Sequence, residues 1–280
     1  MRRYRICHTT QFTYDQPAVA SYNELRMLPL RDENQVVFSS KIDTSPSGAN
    51  FEFNDFFETR VLFFEALEPH LELIVKAESL VELRGESPDI EPMDWERLEG
   101  VKLQELELVD FLKQTRRTQP PAELARFATR SRDLATPNEA AIHICRHIFK
   151  TMKYETGVTG VNSIASEAWR MGVGVCQDFA HLAIGALRQI GIPARYVSGY
   201  LHPKLEPKLH ETVLGESHAW VEWFAGSWVA FDPTNDVAVS NRHVTVGRGR
   251  DYDDIPPMRG VFAGANTSTL SVEVEITREL

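Results

Sequence analysis

The feature that most constrains the fold is a change of hydrophobic period along the chain. Tyr4, Ile6, His8, Thr10, Phe12 and Tyr14 make one mostly apolar or aromatic face, with Arg3, Arg5, Thr9, Gln11 and Thr13 opposite. That spacing of two fits a half-buried strand. It returns in Leu71, Leu73, Val75, Ala77, Ser79, Val81 and Leu83, with shorter β-rich runs at Val36 to Ile42 and Val61 to Phe64. Beyond residue 120 the period becomes helical: Ala122 to Arg132 and Asn138 to Met152 read as helices, the second starting behind Thr136-Pro137-Asn138. Leu270, Val272, Val274 and Ile276 then alternate with Ser271, Glu273, Glu275 and Thr277 as a late strand. The chain is therefore α+β, with a β-rich domain over residues 1–85, a linker with partial helix over 86–118, and a mixed core over 119–280. The break falls at Arg84-Gly85-Glu86-Ser87-Pro88 through Pro92, where charge, Pro and Gly stop a strand.

The chain has 280 residues, with 30 Lys and Arg against 40 Asp and Glu, a formal charge of −10. Phosphate binding leans on clustered basic residues, so this balance argues against nucleic acid and anionic membranes as partners. No stretch is long enough to span a bilayer, and no apolar segment follows the basic N-terminus as a secretory signal requires. Cys7, Cys145 and Cys176 are too few and too separated for a disulfide framework, which fits reduced thiols in a cytoplasmic setting.

Gly172-Val173-Gly174-Val175-Cys176-Gln177-Asp178-Phe179 is a glycine-bearing turn that leads into a periodic segment carrying Phe179, Leu182, Ala183, Ala186, Leu187 and Ile190. The pattern predicts a helix over about Gln177 to Ile190, stopped by Gly191 and Pro193, with Cys176 on its first turn. The unpaired N–H groups and positive dipole end of a helix N-terminus stabilise a thiolate, which suits a nucleophile. Cys7 and Cys145 read instead as small buried hydrophobes.

Ser217-His218-Ala219-Trp220-Val221-Glu222-Trp223-Phe224 and Trp228-Val229-Ala230-Phe231-Asp232-Pro233 read as a β-hairpin. A loop at Phe224 to Gly226 sets His218 opposite Asp232, where a carboxylate can hold the imidazole tautomer and stabilise its cation. A one-residue change in register would put them on opposite faces. Each residue alone also has a plain reading, a core histidine and a turn carboxylate. Together with Cys176 they form a nucleophile, base and orienter in the order Cys, His, Asp.

Other candidates are weaker. His143 and His147 could share a helix face as metal ligands, but no zincin pattern accompanies them and a solvated face is the simpler reading. Cys176, Asp178 and His181 scatter too widely around a helix to close on one ion. Gly247-Arg248-Gly249-Arg250 lacks the strand-loop-helix context and lysine of a phosphate loop. No metal and no cofactor is expected.

These residues bring out a resemblance. Gly174 to His181, Gly191-Ile192-Pro193-Ala194-Arg195-Tyr196-Val197-Ser198-Gly199-Tyr200, Ser217-His218-Ala219-Trp220 and Phe231-Asp232-Pro233-Thr234-Asn235 resemble the motifs of the transglutaminase-like superfamily. A bacterial branch with a β-rich N-terminal region is similar in Tyr4 to Tyr14, Leu25-Arg26-Met27-Leu28-Pro29, Pro69-His70 and Val246 to Pro257. Asp55-Phe56-Phe57-Glu58-Thr59 departs from that branch's Asp-x-Phe-Gly-Asn. The resemblance implies a papain-like core in which a nucleophile-bearing helix packs on an antiparallel sheet. It implies Cys176 as nucleophile, His218 as general base and then acid, and Asp232 as orienter.

The implied activity is thiol-dependent hydrolysis of peptide or isopeptide amides through a thioester, with acyl transfer to an amine by the same triad, or binding without catalysis, as alternatives. The implied partner is a peptide or protein amide substrate. Tetrahedral attack also needs oxyanion donors. The Cys176 N–H is one candidate, and Gln177, Tyr154 and Trp169 remain open as the second. Trp220, Trp223 and Trp228 could wall such a site or simply pack a core.

Overall fold

A computed structural model describes residues 1–84 and 92–280. Most of the expected linker break, residues 85–91, lies outside the described residues. The N-terminal half is built from β1 (Arg2–Ala18), β2 (Ala20–Leu25), β3 (Gln35–Ser45), β4 (Asn50–Asn54), β5 (Arg60–Ala66) and β6 (His70–Leu83). Tyr4 and Ile6 of β1 and Leu73, Val75, Val81 and Leu83 of β6 are buried, as their alternation requires.

After it come α1 (Trp95–Gln104), α2 (Ala122–Ser131), α3 (Pro137–Thr151), β7 (Lys153–Tyr154), α4 (Ala165–Met171), β8 (Val173–Gly174) and α5 (Cys176–Gln189). The start of α3 follows from its sequence: Thr136 accepts the Glu139 N–H at 3.1 Å, the Glu139 carboxylate accepts the Thr136 N–H at 3.2 Å, and Pro137 fills the first turn. The chain closes with β9 (Ala194–Leu201), β10 (Thr212–Phe224), β11 (Trp228–Asp232), β12 (Val237–Ala238), β13 (His243–Gly249), β14 (Met258–Ala263) and β15 (Ser268–Arg278).

Both halves share one sheet, ordered β12-β11-β10-β15-β1-β6-β3, with β9 on β10 and β13 on β9. The chain termini thus pair with each other: β15 lies antiparallel to β1, with Tyr4 opposite Arg278 and Ile6 opposite Ile276. Chain order groups this last strand with the C-terminal half, yet it hydrogen-bonds β1 of the β-rich half as well as β10. A smaller sheet, β14-β2-β5-β4, completes that half.

β10 is the joint between the halves. Residues 212–215 pair with β15, and residues 216–223 pair with β9. His218 therefore sits just past the point where β10 leaves one partner for the other. Against this sheet packs α5, buried from Gln177 to Arg188 and joined in one hydrophobic core with α2, α3 and α4. An amphipathic segment placed at the centre of such a core must be small or apolar on nearly every face. Phe179, Ala180, Leu182, Ala183, Ile184, Ala186 and Leu187 meet that demand.

The hairpin differs from expectation in register. Phe224 pairs with Trp228 and Val221 with Phe231, so the three-residue loop is centred on Gly226 rather than Ala225. The tip needs a φ of +98°, which Gly tolerates and Ala does not. His218 and Asp232 are consequently diagonal neighbours rather than direct opposites. The slide moves both strands by one residue, so parity is kept and the two side chains stay on one face.

Candidate active site

Cys176 is the first residue of α5, half-buried at the edge of the helical core. The turn before it is held by Asp178, whose Oδ2 accepts the Val175 N–H at 2.9 Å and the Thr159 hydroxyl at 2.7 Å. Burial raises the Asp178 carboxyl's proton affinity, and these two bonds oppose the rise. Gly174 is required by close approach: a Cβ there would lie 2.8 Å from Asp178 Oδ2 and 2.9 Å from its Cβ. The short parallel ladder of β7 and β8 places Tyr154 level with Gly174, fixed by Lys153 N–H to Gly172 O at 2.9 Å and Glu155 N–H to Gly174 O at 3.0 Å.

Tyr154 is half exposed, and its hydroxyl faces both Cys176 and Glu216. Burial, with negative charge on Cys176 and Glu216, pushes its pKa up to about 12. Cys145, in contrast, is fully buried on α3, and burial pushes its thiol far up, as for an inert core cysteine.

The imidazole of His218 is buried, and its Nε2 lies 2.7 Å from Asp232 Oδ2. Burial disfavours its cation, but the hydrogen bonds and charges of Asp232 and Cys176 outweigh that and raise its pKa to about 10. Thus the structure brings all three sequence candidates into one cluster. Asp232 has no exposed surface. Burial would push its carboxyl up, but bonds from His218, His243 and Asn235 hold it well below the carboxylate range. Its Oδ1 accepts the N–H groups of Thr234 at 2.9 Å and Asn235 at 3.2 Å, and its Oδ2 also accepts the Asn235 side-chain amide at 2.7 Å. The Asp-Pro-Thr-Asn run thus makes a turn that wraps its own carboxylate.

Sequence reasoning missed His243. It is buried on β13, and its Nε2 lies 3.3 Å from Asp232 Oδ2. No local motif marks it, because the contact depends on β13 pairing with β9 and β9 with β10. His218, Asp232 and His243 have ligand atoms close enough together to hold a metal ion. The hydrogen bonds oppose that use. Nδ1 of His243 accepts the Ser240 N–H at 3.2 Å, so in the neutral ring the proton lies on Nε2, the atom a metal would need. Asp232 Oδ2 is also occupied by the Asn235 amide.

The remaining candidates are engaged elsewhere. Trp169 Nε1 donates to Glu123 at 3.3 Å, and Gln177 Nε2 to the Val161 carbonyl at 3.5 Å. Trp220 and Trp223 are fully buried in packing, and Trp228 lies under the Arg195 guanidinium at 3.8 Å. His147 stacks on Phe127 with centroids 3.7 Å apart, and the exposed His143 lies against the same ring, so the two sit on a partly solvated face and pack on one aromatic. His181 accepts the Tyr252 N–H at 3.2 Å. Arg248 binds Glu222 and Asp32, and Arg250 binds Asp254, so both arginines after Gly247 spend their charge on carboxylates.

A helix-borne thiol packed on an antiparallel sheet that carries an imidazole and a carboxylate, with a β-rich region in front, defines a papain-like core of the transglutaminase type. Residues 125–233 match the model of the transglutaminase-like superfamily, and residues 4–82 that of the bacterial transglutaminase-like N-terminal region. The protein ML0607 of Mycobacterium leprae is 37% identical over 278 residues, 99% of each chain. The crystal structure of "a Putative Cysteine Protease from Cytophaga hutchinsonii" superposes with a TM-score of 0.78 at 25% identity, covering 99% of this chain and 90% of that one. A protein-glutamine gamma-glutamyltransferase of Pseudomonas aeruginosa is 33% identical over 84 residues, 29% of this chain and 13% of its own length. The chain belongs to the transglutaminase-like superfamily.

Proposed function

We propose that this protein is a thiol enzyme that opens peptide or isopeptide amide bonds through a thioester on Cys176. The observation that carries the reading is the 2.7 Å bond between His218 and Asp232 beside a thiol at a helix start. With its raised proton affinity, His218 serves as the base for the Cys176 thiol, and a helix N-terminus stabilises the anion formed on attack. The thiolate adds to the amide carbonyl. The imidazolium then gives its proton to the departing amine, leaving an acyl thioester that water opens with His218 as base. Asp232 keeps the ring oriented and its cation stable throughout.

The Cys176 N–H is one oxyanion donor. Tyr154 is our choice for the second, because its hydroxyl interacts with the thiol and its present partner, Glu216, is exposed and can release it, while Trp169 donates to Glu123 and Gln177 to the Val161 carbonyl. One observation favours the second reading, transfer to an amine. Glu216 is exposed on β10 two residues before His218, on the same side of the strand, where it can attract a cationic acceptor. Free Cys7, Cys145 and Cys176 accord with a reducing, cytoplasmic setting. Among the described residues no helix is long and apolar enough to cross a membrane.

The test is incubation with a glutamine-rich protein, with and without a fluorescent primary amine. Released ammonia or cleaved chain without conjugate supports hydrolysis, and conjugate supports transfer. Equal turnover by Cys176→Ala would refute both.

A further inference from the structure

Asp232 is bound from two sides by imidazoles, and the reaction proposed above uses only one of them. Three hydrogen-bond contacts converge on Oδ2, from His218 at 2.7 Å, Asn235 at 2.7 Å and His243 at 3.3 Å, while two backbone N–H groups fill Oδ1. The tautomer of His243 is dictated by its other side. Nδ1 accepts the Ser240 N–H, so the ring's single proton sits on Nε2 and points at the carboxylate. Burial favours this neutral form, outweighing the pull of Asp232 toward a cation. Packing fixes the ring as well: Trp220 meets it edge to face, with centroids 5.4 Å apart. His243 is therefore a fixed, uncharged donor to the carboxylate that holds the base.

We infer that His243 is a positioning residue that shares the charge of Asp232 and so limits how tightly Asp232 holds the proton of His218. This inference rests on the triad reading above. A carboxylate that gives up part of its electron density to a second donor is a weaker acceptor toward the first. In the acylation step that matters, because an imidazolium held too firmly surrenders its proton slowly to the departing amine. The groups facing His218 are Asp232 from β11 and Cys176 from α5. Those acting on His243 are Asp232, the His218 ring 6.2 Å away, and the charge of Arg242. Of these, only His243 contributes a neutral N–H to Asp232 from outside its own turn.

The experiment follows the His218 ring by NMR in protein labelled at histidine nitrogen, titrated from pH 6 to 11. His243→Asn keeps an acceptor for Ser240 but loses the donor to Asp232, whereas His243→Gln can keep the donor and lose the acceptor. His243→Ala loses both. The expected result is a His218 midpoint moved upward by roughly half a pH unit in the Asn and Ala variants and restored in the Gln variant, the size expected for part of one charged hydrogen bond. A structural role alone would lower the melting temperature in all three and leave the midpoint in place, which would overturn the inference. The triad reading fails separately, if iodoacetamide alkylates Cys176 equally fast in the wild type and in His218→Ala.

Discussion

Replacing Asp232 with Asn tests the electrostatics of the site through stability, without any substrate. The His218 pKa of about 10 stands some 3.5 units above the ordinary imidazole value of 6.5. At about 1.4 kcal/mol per unit, that gap is worth roughly 5 kcal/mol of preference for the folded imidazolium, shared between Asp232 and Cys176. Because the folded value is the higher one, the contribution is whole below pH 6.5 and is lost as pH rises from 6.5 through 10. Asp232 is depressed, so its own contribution is present above the ordinary carboxylate range and fails as pH falls below it. Between those limits Asp232→Asn turns an amide toward three donors and leaves a buried imidazolium unpaired, at a cost of about 3–5 kcal/mol. At about 2–4 °C per kcal/mol for a domain of this size, the melting temperature should fall by roughly 10 °C near pH 6.5. Differential scanning calorimetry from pH 5 to pH 10 measures the gap. It should be widest near pH 6.5 and shrink toward pH 10, where the wild type loses the same charge pair. A gap of constant size, or none at pH 6.5, would refute the reasoning.

Two other substitutions act through single contacts. Gly174→Ala puts a methyl 2.8 Å from Asp178 Oδ2, so the carboxylate must release the Val175 N–H. Thermal melts should show a loss of about 1–3 kcal/mol, with alkylation of Cys176 slowed beyond what the unfolded fraction explains. Tyr154→Phe removes the proposed second oxyanion donor, and kcat on an identified amide substrate should fall by about 100-fold with the melting temperature held. An unchanged kcat would return that role to another group.

How much of this was legible in sequence depended on how local the cause was. The alternation of Tyr4 to Tyr14 and of Leu73 to Leu83, though not of the exposed Leu71, and the spacing of Phe179, Leu182, Ala186 and Leu187, report which face of a strand or helix is buried. Those elements appear as β1, β6 and α5, the last two within a residue of expectation and β1 running four residues further, past an irregularity after Thr13. The Thr136-Pro137 start of α3 is equally local. The hairpin register was nearly so, and missed because it turned on one backbone angle, the positive φ of Gly226. The pairing of β15 with β1 joins residues more than 250 apart, and nothing in either strand's pattern names its partner. His243 is invisible for the same reason. It reaches Asp232 by way of two strand pairings, and its neighbours in sequence, Arg242 and Val244, carry no signal of that contact.

The claim beneath all of this is that the sulfur of Cys176 works as a nucleophile because His218 takes its proton. Alkylation by iodoacetamide at pH 6, followed by intact mass and peptide mapping, measures that directly. The account predicts modification at Cys176 ahead of Cys7 and Cys145, slowed more than about tenfold by His218→Ala in a protein that still folds. Slow or unselective labelling of Cys176, or labelling indifferent to His218, would contradict it.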